Sequence, residues 1–217
     1  MNKIQQAKQV FDIHAQAYQD KYMDTSLYHD SFTVFCDAVQ KERATVLEVG
    51  CGPGNITSCL LQKRPDFRIT ACDVAPNMLT LAKVNNPTAT FIELDCRDIT
   101  TLNIQFDAIV CGFCLPYISK EEAIQFIVDA NMCLKEAGVL YISTMEGDYS
   151  TSGYVGASSV KGEQLYTYYH EAAYLLKTLK ENNFTVTLLD RKRYTTNDGA
   201  TTTDLLILAK KDSGKKQ

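Results

Sequence analysis

Apolar residues recur along this chain in two different rhythms. Up to residue 42 they follow helical spacing, through Ile4, Ala7, Val10, Phe11 and Tyr18, then through Tyr28, Phe32, Phe35, Ala38 and Val39. Two helices are predicted there, with a loop over residues 22–26. After Arg43, short apolar runs alternate with helical stretches. The runs are Val46–Val49, Arg68–Cys72, Thr90–Leu94, Asp107–Cys111 and Val139–Ser143. Runs this continuous suit parallel strands covered on both faces better than half-exposed antiparallel ones. The helices between them carry end signals. Pro76 fits a first helical turn and Asn85-Asn86-Pro87 a stop. Ser119-Lys120-Glu121-Glu122 has capping-box spacing and opens a helix with Ala123, Ile127, Ala130 and Leu134 on one face, Gly138 being its expected stop.

The last third reads differently. Residues 147–162 are polar and rich in Gly, Ser and Tyr, which predicts a loop; a helix should follow, roughly from Leu165 to Glu181. Two strand candidates, Phe184–Tyr194 and Thr202–Lys210, are joined through Asn197-Asp198-Gly199, a hairpin signal. The expected fold is α/β, with three α/β/α layers. Its seven-stranded, mostly parallel sheet ends in an antiparallel C-terminal hairpin strand.

Composition narrows the class. With 217 residues, 45% hydrophobic and 22% charged, the chain has room for one α/β domain with a sizeable core. A net charge of −4 and two short basic clusters, Arg191-Lys192-Arg193 and the Lys210-Lys211…Lys215-Lys216 tail, argue against a nucleic-acid partner. The N-terminus lacks the apolar stretch of a signal peptide, and no run approaches the roughly 18 apolar residues of a membrane span, so a cytoplasmic protein without a membrane partner is expected. Of eight cysteines, only Cys111-Gly-Phe-Cys114 has ligand-like spacing, and no second pair accompanies it; reduced core cysteines and no metal are expected.

The chemistry centres on Val46-Leu47-Glu48-Val49-Gly50-Cys51-Gly52-Pro53-Gly54-Asn55, a buried strand entering a glycine-rich turn before a helix. Such a turn lets backbone approach a ligand closely, and the helix N-terminus offers unpaired N–H groups. The dinucleotide fingerprint needs a third glycine at position 55, where Asn55 stands. The spacing is instead G-x-G-x-G, with Glu48 two residues before it.

This segment resembles motif I of the class I S-adenosylmethionine-dependent methyltransferases, and the resemblance continues along the chain. Asp73, followed by Val74-Ala75-Pro76-Asn77-Met78, resembles the acidic residue that grips both ribose hydroxyls; as a residue alone it could equally be a helix cap. The resemblance places Met78 against adenine, where plain core packing is the alternative. Asp95, ahead of Cys96, resembles the acceptor of the adenine amino group, with Asp98 as its competitor. Phe113, after Phe106-Asp107-Ala108-Ile109-Val110-Cys111-Gly112, would face the methionine part. Phe11-Asp12-x-x-Ala15-x-x-Tyr18 resembles the family's lid helix, so Tyr18 and Tyr22 could close over the methionine moiety.

The resemblance implies one methyltransferase domain over residues 1–217. Residues 1–42 would be a helical lid, 43–145 the cofactor-binding half, and 146–217 the acceptor-side loop, helix and hairpin. The implied cofactor is S-adenosylmethionine, leaving as S-adenosylhomocysteine. The candidate cofactor residues are Glu48, Gly50, Cys51, Gly52, Gly54, Asn55, Asp73, Val74, Met78, Asp95, Cys96, Phe113, Tyr18 and Tyr22.

In-line methyl transfer needs alignment and exclusion of water more than a catalytic triad. A protonated acceptor would also need a base, for which His170 is the candidate. Tyr149, Tyr154, Tyr166, Tyr168 and Tyr169 make the acceptor side aromatic and suggest a small organic acceptor. The rival readings are a non-catalytic S-adenosylmethionine-binding module, an NAD-dependent oxidoreductase, and a related transferase moving another group.

Overall fold

The computed structural model describes residues 3–157, 159–160, 162–195, 199 and 201–214. Three N-terminal helices come first: α1 (Lys3–Ile13), α2 (Ala15–Tyr22) and α3 (His29–Ala38). An alternating segment follows: β1 (Thr45–Val49), α4 (Asn55–Lys63), β2 (Arg68–Asp73), α5 (Pro76–Asn85), β3 (Thr90–Glu93), β4 (Phe106–Gly112), α6 (Lys120–Cys133) and β5 (Leu134–Glu146). The C-terminal part adds β6 (Gly153–Gly156), β7 (Gln164–Thr167), α7 (Ala172–Glu181), β8 (Phe184–Thr195) and β9 (Thr201–Lys211).

The main sheet has the order β3-β2-β1-β4-β5-β9-β8. The strands from β1 to β5 pair in parallel, and β9 runs antiparallel between β5 and β8. The hairpin pairs Thr195 with Thr201 at its tip; Asn197 and Asp198 lie outside the described residues. The expected seven-stranded architecture is therefore the observed one.

Why the strands are apolar on both faces is plain from their alternation. Successive side chains of a strand point to opposite faces. Leu47, Ile109, Leu140, Leu205 and Ile207 face one core with α6 and α7, including Phe126, Ile127, Leu175 and Leu179. Their neighbours Val46, Ala108, Tyr141, Leu206 and Leu208 face a second core with α3, α4 and α5, including Phe32, Phe35, Leu60 and Leu79. Ser119 and Glu122 form the full capping box of α6, and Pro76 opens α5.

Four local readings need correction. The N-terminal region holds three helices, because His14 breaks the first predicted one. Helix α6 ends at Cys133 and not at Gly138; Leu134 enters β5 directly. The ladder with β4 then slips between Phe106 and Ala108, and Ala137 takes φ 59°. Gly138 is required by closeness, since a Cβ there would sit 2.8 Å from the Lys135 carbonyl oxygen.

The predicted loop over residues 147–162 contains β6, and the predicted helix start at Leu165 lies in β7. These two short strands pair antiparallel, Tyr154 opposite Tyr166 with rings 5.3 Å apart. Leu165 packs on Ala7 and Val10 of α1. Long-range contact with α1 thus overrides the local helical pattern, and α7 starts only at Ala172.

Candidate active site

Strand β1 delivers the chain into the glycine turn. Gly50, Gly52 and Gly54 take φ of +69°, +52° and +80°, all left-handed. At Gly54 there is also no room: a Cβ would lie 2.4 Å from the Asn86 amide nitrogen, which donates to the Gly54 carbonyl at 2.9 Å. The Cys51 N–H donates to the Cys72 carbonyl at 2.9 Å, stitching the turn to β2.

Asp73 ends β2 beside that turn. Its Oδ2 accepts from the Gly52 N–H and its Oδ1 from the Ala75 N–H, each at 2.9 Å. Each carboxylate oxygen can accept further bonds. Burial pushes this carboxyl above its ordinary pKa, against the backbone N–H groups of Ala75, Gly52 and Val74.

Above the strand ends lies a cavity of about 730 Å³ including its open mouth. Its floor is Gly50, Gly52, Asp73 and Val74, with Met78 from α5. Leu94, Asp95 and Cys96, just after β3, form one side; Gly112, Phe113, Cys114, Tyr117 and Ile118, after β4, form the other. Ile4, Ala7, Lys8 and Phe11 of α1 and Tyr18 of α2 roof it.

Of the residues singled out from sequence, Tyr18, Gly50, Gly52, Asp73, Val74, Met78, Asp95, Cys96 and Phe113 line this cavity. Asp95 is on the wall while Asp98 is exposed. Asp95 also caps the following turn through the Arg97 N–H and holds the Arg97 guanidinium at 2.7 and 2.9 Å. Burial works to raise its pKa, but the Arg97 hydrogen bonds and charge outweigh that and hold it down. Phe113 takes φ 54°, unusual for a bulky side chain and found mostly where a site constrains the backbone.

Six candidates are not on the cavity wall. Cys51 and Gly54 shape the turn. Asn55 opens α4, and its side-chain amide donates to the Tyr22 carbonyl at 2.9 Å, tying α2 to the glycine turn. The Tyr22 ring packs on Tyr18 at 4.7 Å. Glu48 is buried; its Oε2 accepts from Thr57 at 2.6 Å, while Oε1 makes no hydrogen bond among the described residues. Burial raises its pKa to about 8.

His170 is likewise away from the cavity. It is fully buried, its Nε2 lies 2.8 Å from the Leu115 carbonyl and its Nδ1 meets the Tyr174 hydroxyl. A carbonyl only accepts, so Nε2 carries the proton and Nδ1 accepts from Tyr174. Burial lowers its pKa. Both nitrogens are occupied in holding β5, α7 and the turn after β4 together, which leaves no lone pair for an acceptor's proton.

The roof residues Ile4, Ala7, Lys8 and Phe11 escaped sequence reading as cavity residues. Their helical spacing shows that they share a face, and nothing local shows what that face covers. The structure gives each position of the Phe11-Asp12-x-x-Ala15-x-x-Tyr18 segment a contact. Phe11 and Tyr18 meet the cavity. The Asp12 carboxylate accepts from the Asn77 N–H at 2.7 Å, an anion at the start of α5. Ala15 packs on Ala75 and Met78.

Comparison with known proteins agrees with this geometry. Residues 46–138 match the family model described as "Methyltransferase domain". That match takes in the glycine turn, Asp73, Asp95 and Phe113. It is 33% identical over 141 residues to a malonyl-[acyl-carrier protein] O-methyltransferase of Priestia megaterium, covering 63% of this chain and 50% of that protein. A stretch of 52 residues is 50% identical to a trans-aconitate 2-methyltransferase of Enterobacter sp., covering 24% of this chain and 21% of that protein. The chain spans half or less of the length of these relatives. Among solved structures, the magnesium protoporphyrin IX methyltransferase of Synechocystis with bound S-adenosylhomocysteine is similar in fold. Its TM-score is 0.73 at 15% identity, with 97% of this chain and 100% of that one covered. Among the described residues, no helix is long and apolar enough to cross a membrane.

Proposed function

We propose that this chain transfers a methyl group from S-adenosylmethionine to a small-molecule acceptor by in-line displacement. The observation that carries this is the convergence of Asp73 and the Gly50–Gly52 backbone on one cavity. The acidic residue of β2 faces the same space as the glycine turn, and Val74, Met78, Asp95 and Cys96 extend that space. The residues fit the group. A carboxylate bound through one interaction per oxygen can still receive a ribose diol, and the apolar side chains beside it suit a flat base. Asp95 Oδ2 retains capacity to accept from an amino group. When bound, S-adenosylmethionine supplies a methyl group already activated by positive charge on sulfur.

What this chain adds is position and dryness. The roof of α1 and α2, pinned through Asp12, Asn55 and the Asn85–Gln19 pair at 2.7 Å, covers one side of the cavity, and a bound cofactor and acceptor would displace water from the rest. On this reading residues 1–42 act as the lid, 43–145 hold the cofactor and 146–217 face the acceptor. A small acceptor is supported by the acidic character of the chain and by the small or carrier-bound acids named for its relatives.

Calorimetric titration with S-adenosylhomocysteine, with NAD in parallel, tests the cofactor assignment. Micromolar binding of the first and none of the second is expected. The reverse result would return the chain to the oxidoreductase reading.

A further inference from the structure

With His170 away from the cavity, a different pair of groups stands at the C-terminal edge of the sheet, beside the cavity wall. Asp204 of β9 is fully buried and stands opposite Met145 near the C-terminal end of β5. Its Oδ2 accepts from the Tyr28 hydroxyl at 2.6 Å. Its Oδ1 makes no hydrogen bond among the described residues, although the Tyr194 phenol of β8 faces the same carboxylate. Such an orphan is rare in a folded core, because an unsatisfied buried carboxylate oxygen costs free energy. Tyr28 in turn packs against the wall of the cofactor cavity. Its ring lies 5.2 Å from that of Phe113, the strained residue on the cavity wall.

Resting on the methyltransferase reading above, we infer that Tyr28 and Asp204 form the proton-accepting end of the acceptor site, so that the acceptor is a small amine or hydroxyl compound whose nucleophile carries a proton. Tyr28 Oη takes the proton from the acceptor nitrogen or oxygen as its own proton passes to Asp204 Oδ2. The freed lone pair forms the bond to the methyl carbon, and the methyl–sulfur bond breaks with its electron pair left on sulfur. Tyr28 is the catalytic residue here and Asp204 acts through it. A phenol that donates to a carboxylate is a better acceptor for a second proton. Burial also raises the Asp204 carboxyl above its ordinary range, against the lowering effect of the Tyr28 and Tyr194 hydroxyls, so it holds a proton more readily than an exposed aspartate. The other groups facing it are Tyr141 of β5 and Lys192, opposite in register on β8 and paired with Asp190 at 3.0 Å. The match to the methyltransferase family model ends at residue 138, before β9.

The test uses the full chain loaded with S-adenosylhomocysteine. Small amines, phenols and alcohols are titrated in one set and small carboxylic acids in another, against wild type, Tyr28→Phe and Asp204→Asn. Binding of the first set to wild type, weakened at least tenfold in both variants while S-adenosylhomocysteine affinity stays within about twofold, is expected. For the compound that binds, methyl transfer should fall about 100-fold or more in Tyr28→Phe, the usual range for loss of a general base. The rise of kcat with pH should disappear in Asp204→Asn. Binding confined to carboxylic acids, no binder in the first set, or a Tyr28→Phe variant within threefold of wild type would each overturn the proposal. Loss of S-adenosylhomocysteine binding by wild type would instead strike the methyltransferase reading itself.

Discussion

Glu48→Gln isolates the energetic cost of one buried carboxylate beneath the glycine turn. Glu48 is 1% exposed, and one of its two oxygens has no hydrogen-bond partner among the described residues. Its pKa stands at about 8 against an ordinary 4.5, raised by burial and further by the charge of Asp73, with the Thr57 hydrogen bonds opposing. Between those values the folded chain holds a proton that the unfolded chain has released, so the stabilisation is complete below about 4.5 and is lost as pH climbs to about 8. A tenfold change in proton affinity is worth about 1.4 kcal/mol, so the whole interval amounts to about 5 kcal/mol. Glutamine keeps the shape and an acceptor for Thr57 but never ionises. Its amide N–H₂ inherits the unpartnered place, at roughly 1–3 kcal/mol. The variant should therefore be no more stable than wild type at pH 5, and more stable by about 2–4 kcal/mol at pH 9. Urea denaturation of both proteins at pH 5, 7 and 9 measures this. A difference between them that does not change with pH would refute the reasoning, because it would mean that Glu48 does not titrate in that window.

Other perturbations read the rest of the site. Asp73→Ala removes the carboxylate from the cavity floor; losing two hydrogen bonds to a charged group, at roughly 1.5–3 kcal/mol each, should weaken S-adenosylhomocysteine at least 100-fold by calorimetry, with the fold retained by circular dichroism. Tight binding by that variant would show that the ribose site lies elsewhere. His170→Ala leaves the Leu115 carbonyl and Tyr174 hydroxyl without partners and should cost roughly 2–5 kcal/mol in urea melts, with S-adenosylhomocysteine affinity unchanged. Because burial depresses this histidine, its contribution is present above the ordinary 6.5 and is lost as pH falls through the lower folded value. Asp12→Ala releases the carboxylate bond that docks α1 on α5 and should speed proteolytic cleavage between α1 and α3 several-fold, an effect that saturating S-adenosylhomocysteine reduces.

What could be read without coordinates was local. The Ser119–Glu122 box, Pro76 at the start of α5, and the passage from β1 through Gly50, Gly52 and Gly54 into α4 each depend on residues within a few positions of one another. Strand runs apolar on both faces likewise announced a covered parallel sheet. Asp73, Val74, Asp95 and Phe113 were legible because each directly ends or follows such a run.

The acceptor side was not local, and sequence reading failed there in identifiable ways. Residues 164–167 became a strand because Leu165 meets α1, some 155 residues earlier in the chain. His170 looked like a base by its place after β5, yet the carbonyl of Leu115 and the hydroxyl of Tyr174 claim both its nitrogens. Tyr28 and Asp204, 176 positions apart, carry no shared spacing or periodicity. The sequence alone determined the kind of sheet, the glycine turn and hence the class of cofactor, since those follow from side-chain period and backbone sterics over a few residues. Only the tertiary structure decided which face of α1 becomes a roof, which histidine is structural and which two carboxylates, Glu48 and Asp204, keep an oxygen without a partner among the described residues. Those outcomes depend on burial and on partners that chain folding brings from far away.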